Sequence, residues 1–340
     1  AVIVDPQRDV DQYIPDAEAM GVSIRFVLET HMHADFVSGH NELAARTGAQ
    51  IVVGAKASPA YPAKLMEDGQ VLRVGDVEIV ALETPGHTPD GVTFLVTEPS
   101  NPDEPPRALT GDTLFFGEVG RPDLVGSRGY TAEQMAEMLY DSLRTKIMTL
   151  PGETLVYPAH GAGSLCGRKI AAKEFSTIAE ELKTNYALQP MSKEEFVKIV
   201  TENLPEIPQY FPRAAALNRQ GAQPLAEVAP PQALDPKAFD GASREPGAMV
   251  LDVRENHVYG QAHMPGSLCI PLNGNYAQWS GFFVDPQASV YFVANAEDEV
   301  EEATMRLGRI GLHNAKGYLD GGMPAWEKAG LPIASTPNLQ

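Results

Sequence analysis

Six side chains able to hold a metal each stand just after a short apolar run of β character. His31, His33 and Asp35 follow Ser23 to Glu29, His87 follows Val77 to Leu82, Asp112 follows Arg107 to Thr110, and His160 follows Thr154 to Tyr157. A strand end fixes where its loop begins, so a sheet built from these runs could deliver all six to one rim. A lone His-x-His is a weak sign, because histidines often sit in turns. Recurrence of His or Asp at four strand ends is what narrows the choice of fold.

The first 160 or so residues mix short strands, turn signals and a few helical stretches. Ser23 to Glu29 is rich in Ile, Phe, Val and Leu, and Ser38 to Arg46 predicts a helix stopped by Gly48, so the His/Asp cluster falls on a strand-to-helix loop. Gly75-Asp76 between Val71–Val74 and Val77–Leu82 predicts a hairpin, and Val92 to Val96 a further strand. Met135, Met138, Leu139, Leu143, Ile147 and Leu150 recur at helical spacing, which predicts a helix from Thr131 to Leu150 opened by a Thr131–Gln134 capping box. Ser192 and Glu195 repeat the box for a helix reaching about Leu204.

From about Pro205 to Pro236 the composition turns to Pro, Ala, Gln and Asn. The expected organisation is a first domain over 1–204, a linker or surface strap over 205–234, and a smaller α/β domain over 235–333. In the second domain Val250–Val253, Ser289–Val293 and Gly317–Leu319 predict strands and Asp298–Ile310 a helix.

A formal charge of −19 and a pI near 4.8 argue against nucleic acid or an anionic membrane as partner, since both would be repelled. The two cysteines, Cys166 and Cys269, lie far apart, which argues against a disulfide framework and fits a reducing cytoplasm. Ala1 to Asp5 reads as an interior strand rather than a signal peptide. A start without methionine is compatible with a further segment ahead of Ala1.

Thr30-His31-Met32-His33-Ala34-Asp35, Thr84-Pro85-Gly86-His87-Thr88-Pro89, Thr110-Gly111-Asp112-Thr113 and Tyr157-Pro158-Ala159-His160 together resemble the metallo-β-lactamase superfamily over residues 1 to 185. The resemblance implies an αββα sandwich with a metal site at one rim, normally offering two metal positions. Phe36 stands where the second position takes a histidine; an apolar ring supplies no lone pair, so a mononuclear centre is expected. The implied ligands are then His31, His87 and Asp112, a two-histidine, one-carboxylate set that suits one Fe(II). His33, Asp35 and His160 would orient the rings and hold water around it.

Gly120-Arg121-Pro122-Asp123 and Gly161-Ala162-Gly163-Ser164-Leu165-Cys166-Gly167 are similar to the persulfide dioxygenases, in particular to their fusions with rhodanese-like domains. That resemblance implies oxidation of a low-molecular-weight thiol persulfide by O₂ to sulfite and the free thiol. Arg121, with Asp123, is placed near the substrate or forms a structural ion pair in its loop. Cys166 is a sulfur contact or a buried inert thiol. A glyoxalase II-like thioester hydrolase with two metals shares the fold and is the alternative.

Leu251-Asp252-Val253-Arg254-Glu255, His263-Met264-Pro265-Gly266-Ser267 and Leu319-Asp320-Gly321-Gly322-Met323-Pro324-Ala325-Trp326 resemble the rhodanese fold. The family's cysteine position falls at about Ala294, followed by Glu297, Asp298 and Glu299, which implies an inactive, structural or docking domain. Cys269 is expected in its core. The reading leaves room for a homo-oligomer, and for a sulfurtransferase partner or a further rhodanese domain beyond Gln340.

Overall fold

A computed structural model describes residues 1–124 and 129–337. The chain divides into two units, 1–207 with 211–222 and 208–210 with 223–340. The end of the polar tail, including Gln340, lies outside the described residues.

In the first unit, β1 (Val2–Val4), β2 (Phe26–Leu28), β3 (Gln50–Gly54) and β4 (Lys64–Met66) form a four-stranded parallel sheet in that order. A second sheet has the order β10-β9-β8-β7-β6-β5, from β5 (Val71–Val74), β6 (Val77–Glu83), β7 (Val92–Thr97), β8 (Arg107–Gly111), β9 (Leu155–Pro158) and β10 (Ser176–Thr177). Only β8 and β9 run parallel in it. The hairpin expected at Gly75-Asp76 joins β5 to β6, with Val74 opposite Val77 and Gly75 at φ 61°.

The sheets pack face to face because both inner faces are apolar. Leu28, Val52 and Met66 of one meet Leu72, Ile79, Ala81, Val92 and Phe94 of the other, all buried. Outside the first sheet, α1 (Tyr13–Ala19) and α2 (His40–Thr47) pack Ala17 and Leu43 against Val27. Outside the second, α3 (Ala132–Ser142), α4 (Ile178–Thr184) and α5 (Lys193–Thr201) close a core around Leu139, Val156, Ile178 and Phe196. This is the expected αββα sandwich.

Both capping boxes form, at Thr131–Gln134 and Ser192–Glu195. The helix expected through Leu150 instead gives way after Ser142 to a π-helical turn, Leu143–Ile147, which keeps Leu143 and Ile147 in the core on a wider turn.

The strap expected over 205–234 is divided. Its middle forms α6 (Phe211–Gln220), whose Phe211, Ala214 and Asn218 are buried in the first unit, and its end forms β11 (Gln232–Leu234) of the second. Proline and alanine marked a composition change, yet Pro212 sits in the first turn of α6, where its missing N–H costs nothing.

The second unit is a parallel sheet of order β11-β15-β14-β12-β13, with β12 (Ala248–Asp252), β13 (Leu268–Cys269), β14 (Ser289–Val293) and β15 (Ala315–Leu319). Tyr291 and Val293 face a core with Phe239 of α7 (Pro236–Ser243) and Trp326 of α11 (Gly322–Lys328). Val290 and Phe292 on the opposite face are buried as well, as a parallel sheet covered on both sides requires. The remaining helices are α8 (Asn256–Gln261), α9 (Tyr276–Phe283) and α10 (Glu297–Arg309). The Leu251-Asp252-Val253-Arg254 motif is structural: Arg254 donates to Asp252 through Nε (2.8 Å) and Nη2 (2.6 Å), both side chains buried.

Candidate metal centre

The six side chains meet at one rim of the sandwich, but two sheets supply them rather than one. The end of β2 brings His31, His33 and Asp35, while the ends of β6, β8 and β9 bring His87, Asp112 and His160. Two glycines make the approach possible. Gly111 turns at φ 53°, and a Cβ there would stand 2.7 Å from Thr30 Oγ1; a Cβ on Gly120 would collide with the Asp112 carbonyl and lie 2.9 Å from His87 Cβ.

His31, His87 and Asp112 are buried, with one donor atom from each within 4.8 Å of the others. His87 Nε2 is 3.3 Å and His31 Nε2 3.8 Å from Asp112 Oδ2. Ligands at about 2.1 Å from a common ion stand roughly 3.0–3.5 Å apart, so the set fits a metal with slight contraction. His31 Nε2 and Asp112 Oδ2 are also buried without a hydrogen-bond partner. Such atoms are costly unless something satisfies them.

The surrounding bonds fix which imidazole nitrogen faces inward. His87 Nδ1 lies 2.9 Å from the Arg121 carbonyl, which can only accept, so Nδ1 donates to it and Nε2 is the nitrogen turned inward. Thr30 Oγ1 donates to Asp5 Oδ2 (2.8 Å) and lies 3.0 Å from His31 Nδ1, so His31 takes the same tautomer. Burial and the neighbouring His33 push the His31 imidazolium down to about 3, leaving the ring neutral. Burial would raise Asp112, but the adjacent His160, His87 and His31 hold it well below the usual carboxylate range. Two imidazoles with Nε2 turned inward, that of His31 neutral, and one carboxylate are thus presented together.

His33, Asp35 and His160 form a second group of donors within 4.8 Å. Here His160 is satisfied by its neighbours, whereas His33 Nδ1 and Asp35 Oδ1 are buried without a hydrogen-bond partner. His160 spans two carboxylates, with Nδ1 2.7 Å from Asp112 Oδ1 and Nε2 2.8 Å from Asp35 Oδ2, and although burial opposes it, those charges hold the imidazolium well above its usual value. His33 Nε2 is 3.0 Å from Asp5 Oδ1, and the Phe36 ring packs on His33 at 4.4 Å between centroids.

Arg121, placed either at the substrate or in a loop ion pair, is buried and spent within the protein. Its Nε and Nη2 donate to Asp123 at 2.8 and 2.7 Å, and it also bonds the Leu165 and Pro205 carbonyls. The geometry favours the ion pair, which also aims the Arg121 carbonyl at His87. Cys166 is buried beside Asp112 and His160, and burial, with Asp35 and Asp112, pushes its thiol well above its ordinary value.

Sequence reasoning missed Asp5, Thr30, Glu29, His40 and Asn218. Asp5 also follows a strand, β1, and holds φ 48° while accepting from the Thr30 N–H (2.7 Å), so the strand-end rule could have found it. Glu29 accepts from Ser38 Oγ (2.7 Å) and lies 3.5 Å from His40 Nδ1. Asn218 gave no signal.

In the second unit, Ala294 follows β14 at the family's cysteine position. The Asn295 N–H already donates to Glu299 Oε2 (2.7 Å), so an acidic side chain from α10 occupies the loop. Cys269, expected in the core, is half-buried at the end of β13, which is an edge strand of the sheet.

Comparison with known proteins agrees with this architecture. The profile of the Metallo-beta-lactamase superfamily matches residues 1–160, and that of the Rhodanese-like domain residues 235–329. The chain is 35% identical to the mitochondrial persulfide dioxygenase ETHE1 of Homo sapiens over 231 residues, covering 66% of this chain and 80% of that protein. It is 31% identical to a hydroxyacylglutathione hydrolase of Rhodospirillum rubrum over 160 residues, 46% of this chain and 56% of the other. The crystal structure of a metallo-beta-lactamase from Staphylococcus aureus subsp. aureus COL superposes with a TM-score of 0.81 at 27% identity, covering 94% of this chain and 90% of that one. The chain belongs to the metallo-beta-lactamase superfamily, with a rhodanese-like domain joined to the metal-binding sandwich. Its relatives there include both a persulfide dioxygenase and a hydrolase.

Proposed function

We propose that the protein is a non-haem Fe(II) dioxygenase that converts a low-molecular-weight thiol persulfide, O₂ and water into sulfite and the free thiol: RSSH + O₂ + H₂O gives RSH, sulfite and two protons. The observation that carries this reading is the contrast between the two donor groups. Nε2 of His31 and Oδ2 of Asp112 lack partners; in the second group His33 Nδ1 and Asp35 Oδ1 lack them as well, but both nitrogens of His160 are held by carboxylates and the apolar Phe36 ring packs on His33. That arrangement favours one ion with three open positions over a bridged pair. The persulfide dioxygenase named among the relatives supports the same reading.

When bound, Fe(II) supplies a redox-active Lewis acid at which a persulfide and O₂ meet. The chain's own contribution is orientation and charge. Thr30 and the Arg121 carbonyl lock the two imidazoles in their Nε2-facing tautomers, and Asp112 brings one negative charge. His160 holds a proton between Asp112 and Asp35, at the edge where a sulfur anion would gather charge. Phe36 dries the side next to His33.

The second reading is a thioester hydrolase with two metals, favoured by the donors of His33, Asp35 and His160 lying within 4.8 Å. Anaerobic iron loading, metal analysis and O₂ uptake with several thiol persulfides separate the two. One iron per chain, with one O₂ consumed and one sulfite formed per persulfide, is expected. Two metals per chain and thioester cleavage without O₂ would replace the first reading with the second.

A further inference from the structure

Helix α6 reaches the loop that follows β2 from far along the chain. Asn218 on it is fully buried, and its amide donates to the carbonyls of His33 and Phe36, each at 2.8 Å. Its Oδ1 accepts the Ser38 N–H, also at 2.8 Å. These three backbone groups lie on a loop between β2 and α2 with no sheet ladder to satisfy them, and an unpaired buried backbone group is costly. One side chain satisfies all three, using both its N–H donors and its oxygen.

The helix itself is anchored where it ends. The Arg219 carbonyl accepts from the Ala60 N–H at 2.8 Å, and Gly221, at φ 91°, comes so near Asn41 that a Cβ would stand 3.1 Å from its Nδ2. From the other side, Ser38 Oγ donates to Glu29 Oε1 (2.7 Å) and lies 3.1 Å from the Pro6 carbonyl. The loop is thus held between a fixed helix and the end of the first sheet.

We propose that Asn218 is a positioning residue for the metal centre. It keeps the loop in the one conformation that presents His31 to Asp112, sets Asp35 against His160 and lays Phe36 on His33. Other loop conformations, including one with the Phe36 ring swung away, would strand the carbonyls of His33 and Phe36 and the N–H of Ser38. Neither matched family profile covers this helix, which falls between residues 160 and 235. The inference rests on the proposed function only in that the rim binds a divalent metal.

The test uses Co(II), whose visible ligand-field bands report both affinity and geometry, on the full chain. Asn218→Asp and Asn218→Ser remove the donors to His33 and Phe36. Ala215→Gly weakens the same helix at a half-buried position without touching those bonds. Co(II) affinity is expected to fall about 10–100-fold in both Asn218 variants, the range for residues that support metal ligands, with altered bands. The Ala215→Gly protein should bind as the parent does. Unchanged affinity and bands at Asn218, or an equal loss in Ala215→Gly at no greater loss of Tm, would overturn the proposal. Should neither Asn218 variant fold, amide exchange in the unaltered protein decides. Saturating Co(II) should slow exchange at Ser38, by up to about a hundredfold at 100 times Kd, and no slowing would refute the coupling. A protein that binds Co(II) as expected but consumes no O₂ with any persulfide would sink the proposed function and leave this inference standing.

Discussion

The rim of the first unit and the loop after β14 in the second begin alike, as chain leaving the end of a buried strand, and end in opposite chemical states. The first gathers beside His87 a neutral imidazole, His31, and an ionised carboxylate, Asp112, whose inward atoms have no partner. The second offers Ala294, which has no nucleophile, and N–H capacity already taken by Glu299. A strand end provides a place; what distinguishes a reactive place from an inert one is whether its polar groups are left wanting. At the rim of the first unit His31 Nε2 and Asp112 Oδ2 are left so, as are His33 Nδ1 and Asp35 Oδ1 beside them, while the neighbouring His160 is tied on both sides.

The hardest way to break this contrast is at Asp112. Asp112→Ala should lower metal affinity by more than the roughly 100-fold ceiling seen for residues that only support ligands, measured by competition with a chelator. Retention of full metal would mean the partnerless atoms are not ligands. In the second unit, burial and then Asp252 push the Cys269 thiol up to about 11. Because the folded value is raised, less thiolate is present at any given pH. Alkylation at pH 7.5 should be about 100-fold slower in the native than in the unfolded protein, gaining about tenfold per pH unit until near pH 11. A plateau below pH 9 would make Cys269 a reactive thiol and remove the second unit's inertness.

Smaller effects sharpen the contrast. His160→Gln keeps a neutral group near Asp112 but loses the charge, and should cost about 10–100-fold in metal affinity or turnover without unfolding the sandwich. Phe36→His should carry zinc content from one toward two ions per chain by elemental analysis, because it restores a nitrogen beside Asp35 and His160. The least change is expected from Ala294→Cys: thiosulfate–cyanide sulfurtransfer should stay at background while Glu299 covers the Asn295 N–H. Measurable transfer would show the loop open to an anion.

Local signals carried much of this architecture. The Gly75-Asp76 hairpin, the two capping boxes and the stop at Gly48 depend on neighbours within a few residues, and each forms as its sequence implies. The six side chains after strand ends were legible for the same reason. What stayed hidden depends on partners distant in sequence: the bonds of Asn218 to the His33–Ser38 loop and the commitment of Arg121 to the carbonyls of Leu165 and Pro205.

By itself the sequence determined which residue types stand at the strand ends, that a phenylalanine takes the place beside Asp35, and that the second unit lacks its nucleophile. Those are matters of covalent order and short-range preference. Only the tertiary structure decided which nitrogen of each imidazole faces inward, which donors remain without partners and which helix holds the loop. Burial sets the cost of an unpaired group, and hydrogen bonds between segments up to about 180 residues apart decide which groups stay unpaired.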